Sequence, residues 1–524
     1  MRLFIGLESK LYEKGWKQLL TQEGLSWEYL SKTVSPQLFS TIILGEDALF
    51  DDRVISYIES GGTVLTTNDK LGRLTDEDVD FKKTDELKYT LPYFNVEDSL
   101  CLEEVCSFLD GEAVSLRRIE KGWAIGLPFS PAKILMDDRS CCKSFSKSIH
   151  ELFEMVSLIN KNRIRWLFLS SLLELHARRG IPLVQKWYYP QEYSSAFSFR
   201  VDVDDFDRLD FMKTLKVFAV NKISASWFIN ILAIENCASM LENLKEGNQE
   251  IHSHCYEHKI FTSFEKNLEN LEKARLFLKE YQATPKGVAA PFGTWNRSYN
   301  SALKKLKYDF SSEFSFAYDA FPIEVNGVWQ VPVHPICIGS FINRSGSSFA
   351  ENREKMLRYF DDIMKTKIEN HEPIFFYGHP TGRIGLHPEV VSHIIELANQ
   401  RDDVWKTTLS KYLAWWRNRA ETEFTCHFDK GKLKISTSPH SSTSICLRII
   451  NARKHTFLLH KFCNDTVRLR SVNRKLDAPS ICFEYAITPQ SIFRWGIKKK
   501  NVWSLMRVYG RYFMKMLRAR LLNV

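Results

Sequence analysis

The chain has 524 residues, of which 44% are hydrophobic, 13% aromatic and 26% charged, a balance that excludes a disordered or low-complexity polypeptide. At roughly 150 residues per domain the length calls for about three folded units. The formal net charge of +9 is unevenly spread, because residues 491–524 hold nine basic side chains and no acid. The opening MRLFIGLESK has one Arg and a short apolar run cut by Glu8, too short for a secretory leader, and is expected to form a first strand. No window reaches the ~18 uninterrupted apolar residues of a membrane span. The eleven cysteines are odd in number and scattered, with no CxxC pair, which fits reduced thiols in a cytoplasm.

In residues 1–150 apolar runs alternate with helical patterns: RLFIGLE, KLYEKGWKQLL, STIILGE, DDRVISYIES, then Gly61-Gly62 and TVLTTND. This βα rhythm marks an open, mostly parallel sheet. It resembles the flavodoxin-like domain of class I glutamine amidotransferases and of the trimerisation domain in some galactosidases. No Gly-x-Cys-x-Gly elbow occurs there, so a non-catalytic binding or assembly module is expected. Residues 151–189 read as a helical bridge ending at the C-cap Gly180. The β/α rhythm resumes over 190–418, and its seven or eight strand–helix pairs predict a distorted (β/α)7-8 barrel. Short alternating strands over 419–490, split by turn chemistry, predict a small β-sandwich. Residues 491–524 mix Trp, Phe, Leu and Met with basic side chains at near-helical spacing, a basic amphipathic tail.

Arg200, Asp202 and Asp204 stand two apart at the end of an apolar run, so on a strand they share one face, with Asp205 on the other. Such a cluster also serves as a helix N-cap or turn. In QEIHSHCYEH, His254 and His258 are four apart and would project together from a helical turn, outside which His252 falls. That spacing alone is not diagnostic, but it follows an Asp-rich strand end by one β/α unit. Two imidazoles and a carboxylate are a three-ligand set for zinc that leaves a position open for water; cobalt, nickel and manganese accept it as well.

Over about 195–418 these segments resemble the NodB-homology polysaccharide deacetylases, carbohydrate esterase family four. The family's first motif is similar to Arg200-Val201-Asp202-Val203-Asp204, which implies Asp202 as base and Asp204 as metal ligand. Its His-Ser/Thr-x-x-His motif is similar to the stretch from His254 to His258, with Cys255 in the hydroxyl position and Glu250 fitting the preceding pattern. Its Arg-x-Pro-x-Gly motif aligns with Ala289-Ala290-Pro291-Phe292-Gly293, so the arginine that orients the base is missing, while Pro291, Phe292 and Gly293 remain as substrate contacts. The final motif is similar to PIFFYGHP, which implies His379 as the proton donor to the leaving amine. Glu313 and Asp319 are the candidates for its acidic partner. Arg200 is expected to supply the missing charge beside Asp202; an ordinary salt bridge is the alternative.

The resemblance implies metal-dependent de-N-acetylation of sugar units in a polysaccharide or its precursor, with backbone near Tyr256 helping to hold the oxyanion. Two other readings stand beside it. The basic tail would suit a lipid-linked acyl sugar at the inner membrane face, or docking on a partner protein. The altered Ala289 motif would suit a non-catalytic carbohydrate-binding scaffold. No nucleic-acid-binding fold accompanies the basic tail.

Overall fold

The computed structural model describes residues 1–67, 70, 87–88, 114–127, 129–146, 149–342, 349–437 and 445–476. The basic tail at 491–524 lies outside these residues. In the first 130, the strands Trp27–Tyr29, Ile5–Glu8, Thr41–Leu44, Thr63–Thr67 and Gly122–Leu127 lie side by side in that order, all parallel. Ser115–Ile119 and Leu87–Lys88 extend the sheet antiparallel. Thr41–Leu44 and Thr63–Thr67 are buried at every position, as strands covered on both faces must be.

The expected helical bridge is only partly helical. Ile149–Ser157 is a strand paired antiparallel with Ser140–Ser146, and the helix begins at Lys161 and ends at Arg179. Short apolar runs do not separate strand from helix by periodicity, and Asn160, whose side chain accepts the Asn162 N–H as N-cap, sets the true start. Gly180, at φ +75, ends the helix in the left-handed region.

The central sheet has nine strands around Ser195–Val203, which pairs parallel with Ser226–Ile229 on one side and Ile374–Gly378 on the other. Beyond Ser226–Ile229 follow Glu250–Ser253, Gly287–Ala289, Phe310–Ser312 and Val328–Gln330, each parallel to the last, with Ile323–Val325 antiparallel at the edge. The barrel expected from the strand count is not closed by a ladder among the described residues. Instead, one backbone bond, His334 N–H to Phe375 O at 2.7 Å, spans the gap. The segment Val331-Pro332-Val333-His334-Pro335 carries two prolines, which lack the N–H a ladder needs.

Two small antiparallel sheets follow. Phe424–Asp429, Lys432–Thr437 and Asp465–Arg468 form one; Leu183–Lys186, Cys446–Asn451, Thr456–Lys461 and Arg474–Lys475 form the other. Both bury side chains in one apolar cluster that includes Val184, Phe424, Leu433 and Leu447. The segment 183–186, expected to belong to the bridge, is thus a strand of this unit. At the first residues, Leu3 N–H donates to Cys426 O at 2.9 Å.

Candidate metal centre

Ser195–Val203 is buried along its whole length, and its alternation puts Arg200 and Asp202 on one face at 1% and 2% exposure. Arg200 grips Asp202 with its fork: Nε lies 2.8 and 3.0 Å from the two carboxylate oxygens, and Nη2 donates to Oδ2. The same guanidinium donates to the Ser312 carbonyl and lies over the Tyr377 and Phe228 rings. Burial alone would raise the Asp202 carboxyl, but the charge and hydrogen bonds of Arg200 outweigh it and hold the group below the usual carboxylate range.

Asp204 follows the strand end. Its Oδ1 is 3.0 Å from His254 Nε2 and 3.1 Å from His258 Nε2, and the two ring nitrogens are 3.0 Å apart. His254 Nδ1 lies 2.7 Å from the Ala289 carbonyl, an acceptor only, so the ring proton sits there and Nε2 presents its lone pair to the centre. Among the described residues no donor other than these two rings approaches Asp204 Oδ1, and neither ring meets it with hydrogen-bond geometry. One carboxylate oxygen and two imidazole nitrogens thus converge within 3.1 Å of one another, an arrangement that suits a shared cation. For bonds of about 2.0–2.1 Å in tetrahedral geometry their separations would be roughly 3.3 Å, close to those found. The donor set fits a divalent metal.

The histidine pair is not on a helix, contrary to the sequence expectation. Residues 254–259 form a loop, with Cys255 at φ +67 in the left-handed region. Two asparagines hold it. The Asn230 amide donates to the carbonyls of His254, Cys255 and Tyr256 at 3.2–3.3 Å. Asn270 takes the Glu257 N–H at 2.7 Å and donates to the carbonyls of Glu257 and Lys259. Cys255 is fully buried, its thiol pushed up by burial, and it belongs neither to the ligand group nor to the pocket lining. His252 packs against the Phe228 ring and bonds Glu250, a support inside the sheet.

His379 ends the strand Ile374–Gly378, with Nε2 3.3 Å from Asp204 Oδ2. Among the described residues its other nitrogen meets no carboxylate. Arg383 Nη1 lies 3.2 Å from His379 Nδ1, so Nδ1 accepts and the proton rests on Nε2, facing the site. Burial pushes His379 down to about 4, and Arg383 adds to this while Asp204 pulls the other way. Neither candidate partner reaches it: Glu313 accepts from the Ser311 hydroxyl, and Asp319 bonds His334 and Lys367.

A pocket of about 80 Å³ opens over these groups, lined among others by Arg200, Asp202, Asp204, His254, His258 and His379. Phe292 and Gly293 line it, both at positive φ, and a Cβ on Gly293 would come within 2.4 Å of the Phe314 ring. Pro291 is buried within that turn and outside the lining. Tyr256 turns away, its hydroxyl donating to Glu235 at 2.8 Å. Three further lining residues carried no sequence signal: Arg383, Phe314 and Glu154. Glu154 arrives on the strand Ile149–Ser157 and accepts from the Tyr377 hydroxyl at 3.2 Å.

Residues 201–311 match the polysaccharide deacetylase family model, so this segment carries the family's pattern across the aspartate and histidine motifs. No curated protein matches the chain. Among solved structures, the chain is similar to a putative polysaccharide deacetylase from Mycobacterium smegmatis at 15% identity, over 44% of this chain and 92% of that one, with a TM-score of 0.38. A probable polysaccharide deacetylase from Pseudomonas aeruginosa is similar at 14% identity, over 43% and 92%, with a TM-score of 0.38. A CE4 family pseudoenzyme from Bacillus anthracis is similar at 12% identity, over 42% and 65%, with a TM-score of 0.30.

Proposed function

We propose that the chain is a metal-dependent de-N-acetylase of amino-sugar units in a polysaccharide or its precursor. The observation that carries this reading is the convergence of Asp204 Oδ1, His254 Nε2 and His258 Nε2 beside the buried Arg200–Asp202 pair and His379. A divalent ion, most fittingly zinc, held by Asp204, His254 and His258 would supply Lewis acidity, lowering the pKa of water and polarising the amide carbonyl.

The remaining chemistry belongs to the chain's own side chains. Asp202, kept ionised by Arg200, accepts the proton of the attacking water; Arg200 sets the direction of the carboxylate and balances its charge in a dry site. Arg200 thereby takes the place left empty at Ala289. His379 offers its Nε2–H to the departing nitrogen as a hydrogen bond, with Arg383 fixing the tautomer from the far side of the ring, and the proton that Asp202 took from the water passes to that nitrogen as the C–N bond breaks. Phe292 and Gly293 shape the wall against which the acyl group rests.

A non-catalytic carbohydrate-binding role is the second reading, favoured by Ala289 and by an arginine where His379 would meet an acid. Acetate release from N-acetylated chito-oligosaccharides, run with elemental analysis, separates the two. Asp204→Asn and His254→Ala should lose the metal, while Asp202→Asn should keep it and lose at least a hundredfold in turnover. A wild-type chain that holds metal yet releases no acetate from any N-acetyl sugar would leave the scaffold reading standing.

A further inference from the structure

Among the described residues one further group brings imidazole, thiol and carboxylate donor atoms within 4.8 Å of one another: His460, Cys463 and Asp465. It lies where the chain crosses between the two small antiparallel sheets. His460 stands on the strand Thr456–Lys461, opposite Leu447, and Asp465 opens the strand Asp465–Arg468, opposite Ile435. Cys463 sits in the turn that joins them.

The turn is pinned on both sides of the cysteine. Phe462 is 7% exposed, packs against Phe424, and donates its N–H to the Ile445 carbonyl at 3.2 Å. The Asn464 side-chain oxygen accepts the Thr437 N–H at 2.8 Å. Between these anchors Cys463 and Asp465 are exposed, while the His460 side chain is mostly covered. A backbone fixed in this way loses little further freedom when its side chains close on a ligand.

His460 Nε2 is the hub of the group, 3.2 Å from Asp465 Oδ2 and 4.0 Å from Cys463 Sγ. The other carboxylate oxygen of Asp465 accepts the Thr466 N–H at 2.6 Å, which leaves Oδ2 turned toward the ring. Tetrahedral zinc, with bonds of about 2.3 Å to sulfur and about 2.0–2.1 Å to nitrogen and oxygen, sets N···O at roughly 3.3 Å and S···N at roughly 3.6 Å. The first separation is already met, and a small rotation of the exposed Cys463 side chain closes the second. One thiolate, one imidazole and one carboxylate suit zinc and leave a fourth position for water. We propose that His460, Cys463 and Asp465 form a second divalent-metal site, zinc by preference, which clips the two small sheets together at their crossing. On loading, the Cys463 thiol gives its proton to solvent as the sulfur–metal bond forms.

Titration of the full chain with cobalt(II), under a non-thiol reductant, tests this. Sulfur-to-cobalt charge transfer absorbs in the near ultraviolet, and the Asp204 centre has no thiolate to produce it, so the band reports this site whether or not that centre loads. Wild type should saturate the band at one equivalent, and zinc should bleach it by displacement. Cys463→Ser, an exposed change that leaves the fold alone, should abolish the band. His460→Ala should weaken cobalt binding at this site at least tenfold, and Asp204→Asn should leave the band unchanged. No band in the wild type, a band that survives Cys463→Ser, wild-type affinity in His460→Ala, or loss of the band in Asp204→Asn would overturn the proposal.

Discussion

At the scale of single residues, the buried Arg200–Asp202 pair decides how the site can work. Removing the arginine leaves Asp202 in a dry pocket without its counter-charge, so its carboxyl rises toward and beyond the ordinary range. Arg200→Met should therefore keep the metal, lose turnover by tenfold or more, and shift the acid limb of the pH–rate profile to higher pH; an unmoved limb would reduce Arg200 to a structural salt bridge. Glu313 gives a test of stability rather than rate. Burial pushes it up to about 7, against the pull of Ser311 and the charges of Arg200 and Lys161. The unfolded chain releases this proton near 4.5, while the folded chain keeps it to about 7, so stability falls as pH rises between those values. Glu313→Gln should raise the melting temperature at pH 8 and change it little at pH 4. Arg200, Asp202 and Asp204 were legible because a strand's period of two aligns them. Arg383 and Glu154 were not, since nothing in the sequence near them announces the pocket they reach.

At the scale of elements, the loop after Glu250–Ser253 shows what spacing can and cannot tell. An HxxxH interval implies one helical turn, yet the two imidazoles meet across a loop whose shape is set by Cys255 at positive φ and by the amides of Asn230 and Asn270. Left-handed backbone at a cysteine leaves no mark in the sequence that a glycine would. Asn270 stands on the helix Phe264–Glu280, capped by the Ser263 side chain, but in the sequence its inward amide looks like any helical asparagine. Asn270→Ala should loosen the loop and lower metal affinity about 10–100-fold, measured by competition with a chelator, with the fold retained. Residues 151–157 were read as helix for a similar reason: their pairing partner, not their composition, makes them strand.

At the scale of the whole molecule, the first sheet, the long helix and the central sheet meet in one buried knot. Arg165 donates to Glu23 at 2.7 Å, and Tyr188, Phe321 and Trp416 stack between Arg165 and Arg419. Arg419 in turn donates to four carbonyls, those of Trp187, Thr21, Gln22 and Lys186. Glu23→Gln would strip the carboxylate from a buried guanidinium at a cost of about 3–5 kcal/mol, read as a lower urea midpoint for unfolding. The alternation of β and α units was legible over most of the chain because burial imposes it on composition. The contacts that join those units were not, since they link residues hundreds of positions apart.

The pairing of the first residues with the strand Phe424–Asp429 has a consequence in time. The Met1 amino group meets the Phe428 carbonyl, 427 positions later, so this edge cannot form until residue 428 has left the ribosome. Refolding should accordingly show a late phase, after the central sheet has buried its aromatic core, in which residues 1–3 zip onto the strand Phe424–Asp429.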